Sequence, residues 1–258
     1  MAKMDKIVTQ HIRECFRVIG HQNPLMKCIE TENLTLLASL KKEYPANYIL
    51  SASPPEDKDT RTKIIATAHD LQAIPFTWFS YPLNETLITE LSSAGLKQLA
   101  PLTGVSYDLR QEQPSYPFLA ASLKMPPVKS ATNFEKFLTI FEKTWNYPKG
   151  YVEFFFSNIF KSERFTFFLT HRNEEPIGIC VLDIQEEIAG CYWDCVLPDY
   201  RKQGISTFMV HHRLRYAQEK GCTTVVAQCL NSSLNVYLNL GFQKVCDMAL
   251  FRYSGPII

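Results

Sequence analysis

Three apolar runs, RFTFFLTH (164–171), PIGICVLDI (176–184) and IAGCYWDCV (188–196), are separated only by polar turns such as RNEEP and QEE. Turns this short leave no room for a crossover helix, so the runs fold as a three-stranded antiparallel meander. The chain leaves the meander through VLPDYRKQGIS (196–206). This stretch turns at Pro198, sets Arg201 three residues before Gly204, and opens a helical stretch that Gly221 stops. TTVVAQC (223–229) then predicts a strand, SLNVYLNLG (233–241) a short helix, and FQKV and MALFRY two closing strands. Ahead of the meander, NFEKFLTIFEKTW (133–145) spaces Phe134, Phe137, Leu138, Phe141 and Trp145 as one helix face, and YVEFFFSNIF (151–160) predicts a second helix.

The first half alternates in the same way. NYILSA (47–52) and PFTWFSY (75–81) predict strands, and DKDTRTKIIATAHDLQ (57–72) and NETLITELSSAG (84–95) predict helices, followed by strands to Tyr107. DLRQEQPSYPFLAASLKMPPVKSA (108–131) holds four prolines and no sustained period, and reads as a connector. The halves also echo each other: SAGLKQL (93–99) leads to Tyr107 and NLGFQKV (239–245) to Tyr253, with twelve residues from glycine to tyrosine both times. A duplicated fold is expected, with residues 1–112 as one lobe, 113–130 as connector and 131–258 as the second lobe.

Net charge is +1 with no block of like charges, so nothing directs the chain to nucleic acid or an anionic membrane. The first residues, MAKMDKIVTQHIRECF, lack the apolar core of a signal peptide, and no apolar run approaches the ~18 residues of a membrane span. None of the eight cysteines forms a C-x-x-C pair; they read as small buried thiols of a reducing, cytoplasmic setting. His211 and His212 share a helix without a second ligand cluster, so no metal is expected.

The turn at 201–206 carries the chemistry. A helix start leaves its first N–H groups without partners, and its dipole favours negative charge. Arg201 and Lys202 add positive charge there, and Gly204 lets a bulky anion approach the backbone. A phosphate or pyrophosphate fits such a turn. With RKQGIS (201–206) after a meander and YLNLGF (237–242) on a later short helix, the C-terminal 125 or so residues resemble the GNAT superfamily of acyl-CoA-dependent N-acyltransferases. That family's signature is Arg/Gln-x-x-Gly-x-Gly/Ala after a fourth strand, then Tyr-x-x-x-Gly-Phe. The resemblance implies an α/β (α+β) fold of two GNAT-like lobes, each a mixed, mainly antiparallel twisted sheet flanked by helices. The first lobe resembles a degenerate copy: SPPEDKDT (53–60), acidic and without glycine, stands where the phosphate turn would be. Tandem proteins of the family, with one working and one silent lobe, are similar in this respect.

By the same resemblance the co-substrate is acetyl-CoA. Its pyrophosphate would rest on Arg201, Lys202 and the amides of Gln203, Gly204, Ile205 and Ser206, and its pantetheine arm on the edge of IAGCYWDCV. A backbone N–H near Cys195 or Val196 would polarise the thioester carbonyl, and a primary amine would attack directly through a tetrahedral intermediate. Freeing an alkyl amine of pKa ~10.4 at neutral pH costs roughly 4–5 kcal/mol, whereas protonating a thiolate of pKa ~8.5 costs roughly 2 kcal/mol, so a base matters more than an acid. Tyr237 holds the family's acid position. No glutamate stands along the fourth strand; Asp194 is its one acid, where relatives usually carry an apolar residue. A lone carboxylate in an apolar strand is neutralised, paired or functional. Here both a base or anchor for a cationic acceptor and a structural hydrogen bond stay open. Ser206 replaces the usual Gly or Ala, with a hydroxyl able to cap the helix or touch a phosphate. A non-catalytic acyl-CoA-binding or protein-interaction module is the alternative to an enzyme. Neither the acceptor nor the oligomeric state is specified.

Overall fold

The structure is a computed structural model of the 258-residue chain. It describes residues 2–51, 58–81, 83–112 and 122–255. The acidic turn expected at 53–60 lies mostly outside the described residues. The first half runs α1 (Ala2–Gln22), β1 (Met26–Glu30), β2 (Leu34–Ser39), β3 (Tyr48–Ser51), α2 (Lys58–Asp70), β4 (Phe76–Ser80), α3 (Glu85–Ser93) and β5 (Leu96–Asp108). The second runs β6 (Leu123–Lys124), α4 (Ala131–Trp145), α5 (Tyr151–Phe156), β7 (Phe165–Arg172), β8 (Glu175–Gln185), β9 (Ile188–Val196), α6 (Ile205–Glu219), β10 (Thr224–Leu230), α7 (Asn231–Asn239) and β11 (Gln243–Tyr253).

From α1 to β5 and from α4 to β11 the order of elements repeats, α5 being the one added α-helix. In each half three strands form an antiparallel meander (β1–β2–β3 and β7–β8–β9), and the third pairs in parallel with the next (β3 with β4, β9 with β10). Each half is thus a mixed, mainly antiparallel sheet flanked by helices, the two-lobed α/β architecture expected of the sequence.

Four local features depart from the expectation. The N-terminal stretch, read only as lacking an apolar signal core, is a long helix, because Val8, Ile12, Cys15, Phe16 and Ile19 recur at helical spacing and are buried. Strands β1 and β2 come directly after it. FQKV and MALFRY are one continuous strand, β11, since the charged Asp247 interrupts the apolar pattern and not the backbone. In the connector, Leu123 and Lys124 pair with Arg172 and His171 of β7, and Val128 N–H reaches the Phe167 carbonyl at 2.7 Å, so its end runs along the sheet.

The compact units are not continuous in sequence. One comprises Met1–Gly104, Cys229–Ser232 and Lys244–Ile258; the other comprises Val105–Gln228 and Ser233–Gln243. In the first, the strand order is β1-β2-β3-β4-β11-β5, with Tyr253 of β11 opposite Phe76 of β4. In the second, it is β10-β9-β8-β7-β6. The glycine–tyrosine echo has a physical cause here. Gly95, at φ +84°, has no side chain where a Cβ would meet the Tyr253 ring at 3.2 Å, and Gly241, at φ +95°, does the same for Tyr107 at 3.3 Å. Each half's glycine seats the other half's tyrosine.

The first unit packs Leu36, Ile49, Trp78, Leu87, Leu91 and Phe251 into one core. The second is aromatic: Phe137 of α4, Phe156 of α5 and Phe167 of β7 meet edge to face at 5.2–6.0 Å between centroids. Ser130 starts α4 by accepting the Asn133 N–H (3.2 Å), and Asn146 ends it in the left-handed region. Because Phe137 is fully buried at the centre of this cluster, Phe137→Ala is expected to cost about 3–5 kcal/mol of stability, measured by urea denaturation.

Candidate active site

Strand β9 positions the site through a break in its ladders. On the β8 side the register runs Gly178↔Val196 and Ile179↔Cys195 and then jumps to Val181↔Tyr192. Trp193 and Asp194 therefore stand together opposite Cys180 in a β-bulge, with Trp193 at φ +53°. On the other side the parallel ladder with β10 ends at Cys191↔Ala227, and residues 194–196 run on beyond it. Leu197 N–H bonds the Ile177 carbonyl at 2.9 Å, so alternation turns the backbone of Val196, and not that of Cys195, toward the side that β10 has left. Val196's carbonyl accepts from Arg201 Nε at 3.0 Å, which ties the turn to the strand.

The bulge also aims Asp194. Its Oδ2 accepts from Arg213 Nη2 at 2.6 Å and from the Tyr237 hydroxyl at 2.8 Å, and Arg213 Nη2 lies 3.4 Å from that hydroxyl. Arg213 is 0 % exposed, in α6, with Nη1 3.3 Å from the Val181 carbonyl. Burial lowers a guanidinium's pKa and is the largest single influence on Arg213, yet the Asp194 carboxylate together with the neighbouring Cys180, Cys191 and Tyr237 outweighs it and holds Arg213 above its usual range. The other carboxylate oxygen, Oδ1, is buried and has no hydrogen-bond partner among the described residues. A buried acceptor left unmade costs about 1–3 kcal/mol, so this atom is a place for a donor. Of the readings open for Asp194, the structure therefore shows a paired carboxylate, with one oxygen still available.

Tyr237 reaches the site from α7. Phe242 N–H and Leu240 N–H both return to the Tyr237 carbonyl (3.2 and 3.0 Å), and Gly241 in the left-handed region closes the helix so that Phe242 packs edge-on against the Tyr237 ring at 5.0 Å. Spacing in YLNLGF thus serves to fix one phenol.

At the turn, Pro198–Tyr200 forms a 3-10 turn, Lys202 (φ +58°) and Gly204 (φ +74°) are left-handed, and α6 starts at Ile205. The first helical bond is Phe208 N–H to the Gly204 carbonyl at 3.0 Å, so the N–H groups of Ile205, Ser206 and Thr207 find no carbonyl within the helix. Among the described residues no side chain caps this start, Ser206 included. Gln203 is fastened at both ends of its amide, by Arg172 Nη1 (2.5 Å) and by the Asp199 carbonyl (3.0 Å). Arg201, Lys202 and Arg172 place three cationic side chains around the turn. The free N–H groups and the charges of this turn suit an anion of pyrophosphate size.

Cys195 takes no part as a nucleophile: its sulfur accepts from Trp145 Nε1 at 2.7 Å, and burial pushes its thiol up to about 12. All eight cysteines are free thiols. His212 packs against Phe168 and Phe208, and burial lowers its pKa. Among the described residues no helix is long and apolar enough to cross a membrane.

Comparison with known proteins agrees with this geometry. Residues 132–242 match the model of the Acetyltransferase (GNAT) family. An uncharacterized N-acetyltransferase of Methanocaldococcus jannaschii is 25% identical over 114 residues, 40% of this chain and 50% of the relative, so the match spans about half of that protein's length. Among solved structures, a GCN5-related N-acetyltransferase from Kribbella flavida superposes with a TM-score of 0.67 at 14% identity, covering 95% of both chains. A tandem GNAT protein from the clavulanic acid biosynthesis pathway superposes with a TM-score of 0.60 at 12% identity, covering 90% of this chain and 85% of its own. At these identities the structural likeness is one of fold. The class defined by the fold and the family match is that of the acyltransferases. Within it, the matched region, residues 132–242, carries the GNAT acetyltransferase domain.

Removing the buried cation leaves the partly buried Asp194 with an uncompensated charge. Arg213→Met should destabilise the protein by about 3 kcal/mol, and most of that should return in Arg213→Met/Asp194→Leu, as read from urea denaturation midpoints.

Proposed function

We propose that the chain is an N-acetyltransferase that moves an acetyl group from acetyl-CoA to a primary amine by direct attack. The observation that carries this reading is the single unpartnered oxygen of Asp194, buried on the bulge of a strand that outruns its parallel ladder. Arg201, Lys202 and the amides of Gln203, Gly204, Ile205 and Ser206 hold the pyrophosphate. The stretch of β9 beyond the ladder takes the pantetheine amides as an added strand would. Val196 N–H, facing that side, polarises the thioester carbonyl and stabilises the tetrahedral oxyanion, while Cys195 supplies strand and packing only. Asp194 Oδ1 accepts an N–H of the incoming amine and takes that proton as the amide forms, and from the carboxylate the proton restores the Tyr237 hydroxyl, bonded to Oδ2, after each turnover. Tyr237 protonates the departing sulfur, and the Arg213 charge beside its hydroxyl offsets the carboxylate that would otherwise hold the proton.

Residues 1–112 are, in this reading, a second copy that binds no CoA. The sequence SPPEDKDT (53–60), acidic and without glycine where the phosphate turn would be, supports it. Eight free thiols fit a reducing, cytoplasmic setting. The engagement of Asp194 by Arg213 favours one competing reading, a non-catalytic acyl-CoA-binding module.

Calorimetric titration with acetyl-CoA tests the cradle. Micromolar binding, about −8 kcal/mol, is expected for the wild type and its loss for Arg201→Glu; equal affinity in both would remove the turn from the site. Tyr237→Phe should bind acetyl-CoA normally and turn over an accepted amine at least about tenfold more slowly. Binding without acetylated product across a panel of primary amines would leave the module reading.

A further inference from the structure

Where α1 meets β1, a group of side chains lies that acetyl transfer does not use. We propose that His21, Cys28 and Glu30 form a zinc-type divalent metal site that clips the end of α1 to β1. Cys28 and Glu30 are two residues apart on β1 and so share one face of the strand. His21 comes from the last turn of α1, and Gly20 beside it has no side chain: a Cβ there would collide with Leu37 Cδ2 and approach Cys28 Cβ to 3.5 Å. The missing methyl lets the helix end settle directly on the strands. Asn23 then turns the chain, its Oδ1 accepting Leu25 N–H at 3.0 Å and its carbonyl accepting Met26 N–H at 3.0 Å.

The result is three ligand atoms that all lie within 4.8 Å of one another. His21 Nε2 is 2.8 Å from Glu30 Oε1, and Cys28 Sγ is 3.7 Å from the same oxygen. Imidazole nitrogen, thiolate and carboxylate are the donors zinc takes, at about 2.0–2.3 Å, and three of them leave a fourth tetrahedral position for water. Two anionic ligands and one neutral one match a dication. His21 and Glu30 are exposed and Cys28 is half-buried, so an ion can enter from solvent. Two arginines are near, and both are engaged elsewhere. Arg17, 3.9 Å from Glu30 Oε1, is bound bidentately by Glu14 at 2.6 and 2.7 Å. Arg13 is anchored on the carbonyls of Thr31, Glu32 and Leu34 and on Thr35 Oγ1. The spacing His-x6-Cys-x-Glu matches no sequence motif, which is why the sequence points to no metal.

The test is direct and independent of the acetyltransferase reading. The full chain, stripped with a chelator, is titrated with Zn²⁺ by calorimetry and with Co²⁺ by absorption, where a thiolate-to-cobalt charge-transfer band reports cysteine ligation. One equivalent of Zn²⁺ is expected, together with the band. Cys28→Ser should abolish the band, and Cys28→Ser and His21→Ala should each weaken Zn²⁺ binding more than about tenfold. Cys246→Ser, altering the other cysteine that is not fully buried, should leave both signals in place. Zn²⁺ should also raise the melting temperature of the wild type and not that of Cys28→Ser. A wild type without the band, or Zn²⁺ affinity unchanged in both ligand variants, would overturn the site.

Discussion

A guanidinium without access to water has to be paired, and in this chain its partner is set by the bulge of one strand. Arg213 lies wholly inside the second unit, and Asp194 is its counter-charge. The pair couples three elements that are far apart in sequence: β9 supplies the carboxylate, α6 the cation and α7 the phenol of Tyr237. Since α6 also begins at the 201–206 turn, the same helix that neutralises Asp194 at its middle offers bare N–H groups at its start. In the proposed reaction, substrate chemistry and stability draw on one interaction. A change to Asp194 or Arg213 alters the charge balance of the interior, and a change to any of the three alters the hydrogen bonds around the Tyr237 hydroxyl.

The two halves build the same frame of a meander, a helix and a parallel return strand. In the second half β9 runs on past its parallel ladder, and a bulge at Trp193–Asp194 shifts its register against β8. One extra residue in that strand is what aims the Asp194 carboxylate at Arg213 and Tyr237.

Much of this architecture was legible from the sequence for physical reasons. The meander showed in its short turns, the aromatic helix in the spacing of Phe134 to Phe141, and the strand-to-helix step in Pro198 and Gly204. What stayed hidden depended on tertiary pairing. Asp194 stood out as a lone acid in an apolar strand, but its partner lies in another element. The signal existed: Met209, Arg213 and Ala217 lie four residues apart, so Arg213 interrupts the apolar stripe of α6 as Asp194 interrupts that of β9. Two such interruptions of opposite sign are a pairing written in sequence. The bulge carried no such signal, because a register shift is a relation between strands and not a property of one. The non-contiguous units were hidden for the same reason, and the twelve-residue echo from glycine to tyrosine was visible before its reciprocal packing could be.

That reciprocity has a consequence for how the chain is made. Strand β11, synthesised after the other ten strands described, lies between β4 and β5 in the sheet of the first unit, with Tyr253 stacked on Phe76 and seated over Gly95. The first unit therefore cannot complete its sheet when residues 1–104 have been synthesised; it waits with β4 and β5 unjoined until β11 emerges. Vectorial synthesis, which ordinarily lets an N-terminal domain fold first, here brings the two units to their final state together, and a chain released before Tyr253 leaves both β4 and β5 without the strand that joins them.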